Sequence, residues 1–299
     1  MTASYARGPI LHPRVAVLRR PSGAVQLGWD PERAVVLDPP TVPADALHAF
    51  VGLLDGLHSH PQILWEAGQS GISGATASEL LRDIDAAGLL VWPRRRRTRV
   101  RAVHVHGRGP LADAICAGIR RLGITPTHSR VYRPGGGAPP AQTDLVLLTD
   151  ALVPVPELVN FLLVGRIPHL QVRIRDGSGV IGPLVLPGGT SCLRCADLTR
   201  SDFDADWPHL AAQLLGRTGY ASPATIDATA ALALREVESI LDGATGHPPR
   251  TLDTTLELDP ESGRIGHRHW RPHAACACRR IETPVIESAP DDQPAVAAD

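Results

Sequence analysis

Two cysteines three positions apart, Cys192 and Cys195, place the tightest constraint on how this chain can fold. The C-x-x-C spacing lets one tight turn supply two of the four ligands of a tetrahedral metal site. A second pair, Cys276 and Cys278, lies far downstream. Two thiolate pairs distant in sequence are typical of a closed structural zinc site, because folding brings the pairs together. The sequence therefore predicts that both pairs bind one structural zinc ion.

The second pair leaves alternatives open. Its C-x-C spacing is tighter than the usual C-x-x-C, so His273 is a reserve ligand if one thiolate turns away. The remaining alternative is a set of four unrelated buried thiols. Four thiolates leave no open position for water, so the metal would stabilise the fold without taking part in catalysis. The fifth cysteine, Cys116, lies on the apolar side of a predicted helix and is expected in the core.

Composition excludes several classes of enzyme. All 30 basic residues counted as Lys+Arg are arginines. The chain therefore has no lysine for a P-loop, a kinase strand or a Schiff base with pyridoxal phosphate. The net charge of -1 gives no general attraction to nucleic acid or to an anionic membrane. Without a long apolar window or a signal peptide, the expected location is the cytoplasm, where thiols stay reduced.

Residues 14–92 read as a small module of strands followed by helices. Three short apolar runs, 15–18, 24–27 and 34–37, are separated by turn residues and predict an antiparallel sheet. Helical spacing then predicts three helices: one through Leu47 and Leu57, one beginning at Ile63, and one from Thr76, capped with Glu79, to Gly88. This order predicts a winged-helix-like fold.

Two flanking segments have biased composition. Residues 93–101 are rich in arginine and are interpreted as a solvated linker or, alternatively, as a patch that contacts nucleic acid. Residues 284–299 are acidic and rich in proline and alanine, which predicts a disordered tail.

Residues 100–282 predict a Rossmann-like α/β domain. A strand ending at His106 enters a turn with Gly107 and Gly109, and a helix containing Ala112 follows. This order is typical of a nucleotide-binding loop, although the same small residues also serve a nucleotide-free turn. A buried strand ends at Asp150. Further predictions are a strand at 168–175, a core or dimer helix at 222–242 and a hairpin at 251–268.

Four motifs together resemble a known family. They are residues 180–188 (VIGPLVLPG), 190–195 (TSCLRC), 202–207 (DFDADW) and 270–278 (WRPHAACAC). In this order they resemble the ThiF/MoeB superfamily of ubiquitin-activating-type adenylyltransferases, in particular the branch found in cyclodehydratases of thiazole/oxazole-modified microcins (TOMMs). The N-terminal module is similar to the RiPP recognition element, a winged helix that binds the leader of a ribosomally made precursor peptide.

The resemblance implies roles for individual residues. Gly107, Gly109 and Ala112 match the nucleotide loop, Asp150 matches a magnesium-binding aspartate, and the four paired cysteines match structural zinc ligands. The chain departs from adenylating members in three ways: the acid that binds the ribose is missing, the Asn/Arg/Gln run is not recognisable, and the lysine near the phosphates is absent. These departures count against binding of ATP and magnesium.

The resemblance also implies partners. In the TOMM branch this kind of subunit presents the peptide, and a YcaO-type protein uses ATP to cyclise Cys, Ser or Thr; a homodimer through the 222–242 helix is implied as well. The leader would add as a strand between the third strand and the third helix of the recognition element. The candidate lining residues are Arg33, Val35, Leu37, Glu79, Arg82 and Asp83.

Other interpretations of the same residues remain. Val35 and Leu37 are alternatively core residues, and Arg82 with its acidic neighbours is alternatively a solvated helix face. The chain as a whole is alternatively an adenylyltransferase that activates a carboxylate, or a winged-helix regulator that binds DNA. The predicted third helix is acidic apart from Arg82, which disfavours the regulator. No membrane partner is predicted.

Overall fold

The computed structural model describes residues 8–92, 100–133, 136–242 and 248–279. The chain divides into two compact units, 1–96 and 97–299. Most of the predicted arginine-rich linker and all of the predicted acidic tail lie outside the described residues. No helix in the described part of the chain is both long and apolar enough to cross a membrane.

The first unit contains two small sheets and three helices. Its strands are β1 (Ile10–Leu11), β2 (Val17–Arg19), β3 (Val25–Leu27), β4 (Val35–Leu37) and β5 (Leu90–Val91), and its helices are α1 (Ala44–Gly52), α2 (His60–Gln69) and α3 (Gly74–Ala86). Strands β2, β3 and β4 form an antiparallel sheet in that order, and β1 pairs with β5. The predicted strands and helices are present in the predicted order, and the pair β1–β5 was not predicted.

The three helices bury their apolar stripes against the three-stranded sheet. Leu47 and Phe50 of α1, Ile63 of α2 and Ile84 of α3 are each at most 1% exposed and share one core with Leu27 of β3. Burying each such side chain stabilises the folded unit by about 1.5–3 kcal/mol. The helical spacing of these apolar residues therefore explains why the helices form here. Leu57, which the helical spacing had included, lies beyond the end of α1 and is 82% exposed.

Two helices begin earlier than predicted. Helix α2 begins at His60, and Ser59 and Gln62 form its capping box, with Ser59 N donating to Gln62 Oε1 at 2.8 Å. Helix α3 begins at Gly74, where Ser73 Oγ accepts a hydrogen bond from Thr76 N at 3.1 Å. The prediction that Thr76 starts α3 was wrong, because Ser73 offers an equally good cap three residues earlier. Its predicted end at Gly88, with φ of +67°, is confirmed.

The second unit is built on one mixed sheet of seven strands. Its order is β12-β11-β10-β9-β8-β6-β7. The strands are β6 (Val103–His106), β7 (Thr127–Ser129), β8 (Leu145–Thr149), β9 (His169–Arg175), β10 (Ser178–Val185), β11 (Thr254–Leu258) and β12 (Ile265–His269). Strands β7, β6, β8 and β9 are parallel to one another, whereas the pairs β9–β10, β10–β11 and β11–β12 are antiparallel. The predicted strand at 168–175 and the predicted hairpin are confirmed.

Helices cover both faces of this sheet. They are α4 (Pro110–Arg121), α5 (Pro156–Val164), α6 (Leu193–Phe203), α7 (Trp207–Leu214) and α8 (Pro223–Asp242), and a 3-10 turn spans Ala277–Arg279. Helices α4 and α8 share the larger core, and a side chain at Gly118 of α4 would clash with Leu234 of α8. The apolar face of α8 is thus a core face within this chain. Strand β10 and helices α5, α6 and α7 were not predicted as elements.

Strand β9 separates two different environments. Leu170, Val172 and Ile174 belong to the core shared with α4 and α8. The alternate residues Gln171 and Arg173 lie on the other face, beside α6. A strand with period two can therefore be apolar on one face and polar on the other while remaining buried on both.

A pair of alanine variants tests where α3 begins. We expect Ser73→Ala to lower the free energy of unfolding by about 1 kcal/mol, because the N–H of Thr76 loses its side-chain acceptor. Thr76→Ala is the matched control and should cost clearly less, since its backbone N–H still reaches Ser73. Urea unfolding followed by circular dichroism measures both. An equal or larger loss in Thr76→Ala would contradict this helix start.

Candidate functional site

The four paired cysteines of the second unit meet in one buried cluster. Cys192 is the N-cap of α6 and Cys195 lies in its first turn, while Cys276 and Cys278 lie at the 3-10 turn after β12. All four sulfur atoms lie within 4.8 Å of one another, and all four residues are buried. The prediction that two distant pairs come together is confirmed, and the cluster can hold a metal ion.

The spacing of the sulfur atoms fits one tetrahedral ion. The Sγ–Sγ distances are 3.7 Å for Cys192–Cys195, 3.6 Å for Cys192–Cys276 and 3.5 Å for Cys195–Cys278. Four sulfurs at the usual metal–sulfur distance would be about 3.8 Å apart. The distances are far longer than a disulfide bond. With all four positions taken by protein ligands, the arrangement suits a structural ion.

The environment of the thiols also favours a cation. Burial raises the pKa of Cys278 to about 12 and raises the pKa of Cys192 as well. Several buried thiolates side by side are therefore unfavourable unless a positive ion offsets their charge. Because a metal displaces the thiol protons, acidification should weaken metal binding.

Neither the reserve ligand His273 nor the fifth cysteine, Cys116, belongs to this cluster. His273 Nε2 is 2.9 Å from Asp202 Oδ2, and His273 Nδ1 accepts from Ala275 N at 3.1 Å. With both ring nitrogens engaged, His273 shapes the turn before Cys276, and its reserve role as a ligand is not needed. Cys116 is a residue of α4 and is buried in the core, as predicted, and burial raises the pKa of its thiol.

The glycine turn between β6 and α4 is closed by the end of β8. A side chain at Gly107 would clash with Thr149 and Asp150, and one at Gly109 would clash with the Asp150 carboxylate. The φ of Gly109 is 175°, which any residue can adopt. Both glycines are therefore explained by the close approach of Thr149 and Asp150.

The carboxylate of Asp150 occupies the N-terminus of α4. Its Oδ1 accepts from Leu111 N and its Oδ2 from Ala112 N, both at 3.1 Å, and the residue is 5% exposed with φ of +66°. Burial raises the pKa of this carboxyl, although the hydrogen bonds act in the opposite direction. Backbone N–H groups at a helix N-terminus are the donors that a nucleotide phosphate would use. Here a side chain of the same chain takes them.

A network of histidine and hydroxyl side chains lies beside this turn. It lies where the second strand of a nucleotide-binding domain would end in an acid that binds the ribose. His104 bonds Thr127 Oγ1 and Ser129 Oγ, and His106 Nδ1 bonds the same Ser129 Oγ, each at 2.8 Å. Burial, with the nearby His106 and His128, lowers the pKa of His104 to about 4, so its ring is neutral. The sequence analysis missed this network. Its only signal in the sequence was two histidines at alternate positions of one strand and two hydroxyl residues at alternate positions of the next.

A shallow cavity opens next to the same turn. Its volume is about 500 Å³, and its lining includes Pro110, Tyr220, Ile226 and Asp227. Tyr220 is 87% exposed. Among the described residues that line it, none is an arginine, so the cavity lacks the cations that a triphosphate requires.

The proposed peptide-binding residues of the first unit differ in exposure. Arg33, Glu79, Arg82 and Asp83 are exposed, and Arg82 Nε lies 3.6 Å from Asp83 Oδ1. Val35 is half-buried. Leu37 is 3% exposed and packs in the core of this unit, so its side chain is not available to a peptide.

Strand β4 is an outer strand, and its pairing leaves backbone groups free. Even-numbered residues form the hydrogen-bonded pairs between β2 and β3, because Arg20 N donates to Ala24 O and Gly28 N donates to Ala16 O. Gln26 is also even-numbered, so its backbone N–H and C=O point toward β2. Hydrogen bonding alternates along an antiparallel pair, so β3 bonds β4 through its odd-numbered residues. The N–H and C=O of Val36, opposite Gln26, therefore point away from the sheet. The Val36 residue is 41% exposed.

No protein-family model and no curated protein matches the chain. Solved structures do share its fold. The heterocyclase TruD superposes with a TM-score of 0.62 at 16% identity, over 91% of this chain and 42% of TruD. A heterocyclase in complex with substrate and cofactor gives the same TM-score and identity, over 39% of its length. This chain thus spans about two fifths of the heterocyclase chains.

MccB from E. coli matches over almost its whole length. MccB with ATP gives a TM-score of 0.57 at 13% identity, over 90% of this chain and 99% of MccB. MccB in complex with N-formylated MccA gives 0.56 at 12% identity, over 91% and 99%. The resemblance to ThiF-like proteins is therefore confirmed at the level of the fold.

Removal of one cluster thiol should release the metal. We expect Cys276→Ser to lose the ion that the purified chain carries, because three thiolates and a hydroxyl bind far more weakly than four thiolates. The second unit should also unfold at a lower temperature. Cys116→Ala is the control and should keep the metal. Elemental analysis and calorimetry measure both, and a Cys276→Ser protein with full metal content would contradict the assignment.

Proposed function

We propose that this chain is a peptide-presenting subunit of a RiPP cyclodehydratase and is not catalytic by itself. Its first unit, a winged-helix recognition element, binds the leader of a precursor peptide. Its second unit, a ThiF-like domain, engages a YcaO-type partner that uses ATP to cyclise Cys, Ser or Thr in that peptide. The observation that carries this proposal is the free outer edge of β4. The complexes reported for the heterocyclase and for MccB support it.

The leader adds to β4 as a fourth antiparallel or parallel strand of the small sheet. Main-chain hydrogen bonds to the N–H and C=O of Val36 supply affinity that does not depend on sequence. Specificity comes from the side chains that flank this edge: Arg33 and Val35 on the strand, with Glu79, Arg82 and Asp83 on α3. These charges are of both signs, so a leader with alternating acidic and basic residues fits them best.

The ion in the four-cysteine cluster is structural zinc in this proposal. Zinc is the usual ion of an all-thiolate tetrahedral site in a reducing compartment such as the cytoplasm. It joins the first turn of α6 to the segment after β12, two parts of the second unit that are far apart in sequence. Its role is to hold the domain together while the partner performs the chemistry.

The glycine turn does not bind ATP in this proposal. The Asp150 carboxylate already accepts hydrogen bonds from the α4 N-terminus, and a phosphate at that position would meet its negative charge at close range. One observation favours the alternative, an adenylyltransferase: MccB, which has this fold over nearly its full length, has been solved with ATP. In that case Asp150 would have to turn outward and bind magnesium.

A pair of proline variants tests the edge of β4. We expect Val36→Pro to weaken binding of the leader at least tenfold, because proline removes the outward N–H and leaves the bonds to β3 intact. Arg19→Pro is the matched control, since it removes an outward N–H from β2, the opposite outer strand. The probe is a fluorescently labelled extended peptide of alternating acidic and basic residues, the composition that the flanking charges favour. Fluorescence anisotropy measures its affinity.

The outcomes of this experiment separate the possibilities. Unfolding temperatures and circular dichroism spectra of both variants must match those of the original chain. Equal weakening in Val36→Pro and Arg19→Pro would show that the peptide does not use β4. Unchanged binding in Val36→Pro would remove strand addition from the proposal.

Titration of magnesium-ATP into the zinc-loaded chain tests the alternative. We expect no heat of binding up to millimolar ATP, because Asp150 occupies the donors of the glycine turn. Asp150→Ala, which leaves those donors free, should bind ATP no more weakly than the original chain. Micromolar binding that disappears in Asp150→Ala would instead establish Asp150 as a magnesium ligand and the chain as an adenylyltransferase.

A further inference from the structure

One face of β9 carries buried polar atoms that lack hydrogen-bond partners. Within the described residues these atoms are His169 Nε2, Gln171 Nε2 and Arg173 Nε, at alternate positions of the strand. The three residues are 0%, 3% and 9% exposed. A buried donor without an acceptor is costly, and most buried polar groups in proteins are satisfied by protein, water or ions. His169 Nδ1 donates to the carbonyl oxygen of Ile167, so its Nε2 is an acceptor. Gln171 Nε2 and Arg173 Nε are donors, and they call for an acceptor that the described residues do not supply.

Arg173 is the charged member of this set, and it has no carboxylate partner in the part of the chain that is described. Its Nη1 donates to the carbonyl oxygen of Leu152 at 2.7 Å. The two nearby carboxylates are engaged by other arginines: Asp197 pairs with Arg200, and Glu257 pairs with Arg175, each at 2.9 Å. Within the described residues the guanidinium of Arg173 therefore makes no direct ion pair, although the charges of Asp197 and Glu257 act favourably on it.

Charges of both signs surround Arg173. Arg200 is held between two indole rings, 5.2 Å from the Trp207 ring centre and 4.8 Å from that of Trp270. Burial lowers the pKa of Arg173 to about 9; the charges of Arg200 and Arg175 also lower it, whereas those of Asp197 and Glu257 raise it. Arg173 nevertheless remains protonated at neutral pH, so its charge persists when the protein is folded.

A small cavity adjoins these donors. Its volume is about 20 Å³, and the polar residues of its lining are Gln171, Arg173, Arg200, Trp207 and Asp197, whose carboxylate is paired with Arg200. This volume holds one particle of roughly the size of a water molecule. A carboxylate or a phosphate is too large for it, whereas a chloride ion fits.

We propose that this cavity is a binding site for a small monovalent anion of the size of chloride. The ion accepts hydrogen bonds from Arg173 Nε and Gln171 Nε2 and lies within the field of Arg200. A water molecule would satisfy the two donors but would add no negative charge beside Arg173, which has no direct ion pair among the described residues. The bound ion links β9, the segment after Asp150 and the zinc-anchored helix α6, which supplies Ala196, Asp197 and Arg200 to the same wall.

The anion should stabilise the folded chain in a way that depends on its identity. We expect the zinc-loaded chain to unfold about 3–6 °C higher in sodium chloride than in sodium gluconate of equal ionic strength, at chloride about tenfold above its Kd. Gluconate is too large for the cavity. Crystals soaked in sodium bromide should show an anomalous peak at hydrogen-bond distance from Arg173 Nε and Gln171 Nε2.

Two substitutions of glutamine by glutamate provide the matched pair. Gln171→Glu places a carboxylate beside Arg173 and should abolish both the chloride effect and the bromide peak, while raising the unfolding temperature in gluconate. Gln213→Glu makes the same charge change at an exposed position of α7 and should keep the chloride effect. A loss of the effect in both variants, or in neither, would overturn the proposal.

The bromide experiment decides the matter even if Gln171→Glu does not fold. A cavity in the original chain that shows ordered density without anomalous signal contains water, and the proposal is then wrong. An unfolding temperature that follows ionic strength alone, equal in chloride and gluconate, would lead to the same conclusion.

Discussion

Four buried thiols that together can hold one metal ion determine much of the second unit. The cluster sets the first turn of α6, and the same helix then presents Asp197 and Arg200 to the inner face of the sheet. Arg200 in turn packs against Trp207 and Trp270, and Trp270 begins the chain segment that leads to Cys276 and Cys278. The four-cysteine cluster and the arginines beside it are therefore parts of one structure, and disruption of the cluster would disturb both.

The buried charges of Asp150 and Arg173 in the second unit have opposite environments. The carboxylate of Asp150 is satisfied by two backbone N–H groups at the positive end of α4. Arg173 donates to one backbone carbonyl, has no direct ion pair among the described residues, and faces charges of both signs. A buried charge without a counter-charge costs several kcal/mol. The first arrangement closes a site that could have held a phosphate, and the second leaves one that an anion can occupy.

The features that the sequence predicted correctly are those that depend on residues close together in the chain. The cysteine pairs, the strand–glycine–helix turn and the hairpin each lie within a short stretch, so spacing alone was sufficient. The start of α3 was missed because Ser73 and Thr76 are both good N-caps, and only packing decides between them. The network of His104 with Ser129 depends on the register between β6 and β7, which no single strand specifies. Arg173 has no ion-pair partner among the described residues because Asp197 and Glu257, which are distant from it in sequence, pair with other arginines.

The glycine turn shows why a shared fold does not settle nucleotide binding. Glycines at this position are needed whether a phosphate or the side chain of Asp150 approaches the α4 N-terminus, so the motif alone cannot distinguish the two. The distinction lies in the side chain at the end of β8 and in the donors around it. Asp150 holds a left-handed backbone conformation that a non-glycine residue adopts only when its contacts compensate. Its two hydrogen bonds to α4 provide that compensation, so a phosphate would have to displace them before it gained any of its own.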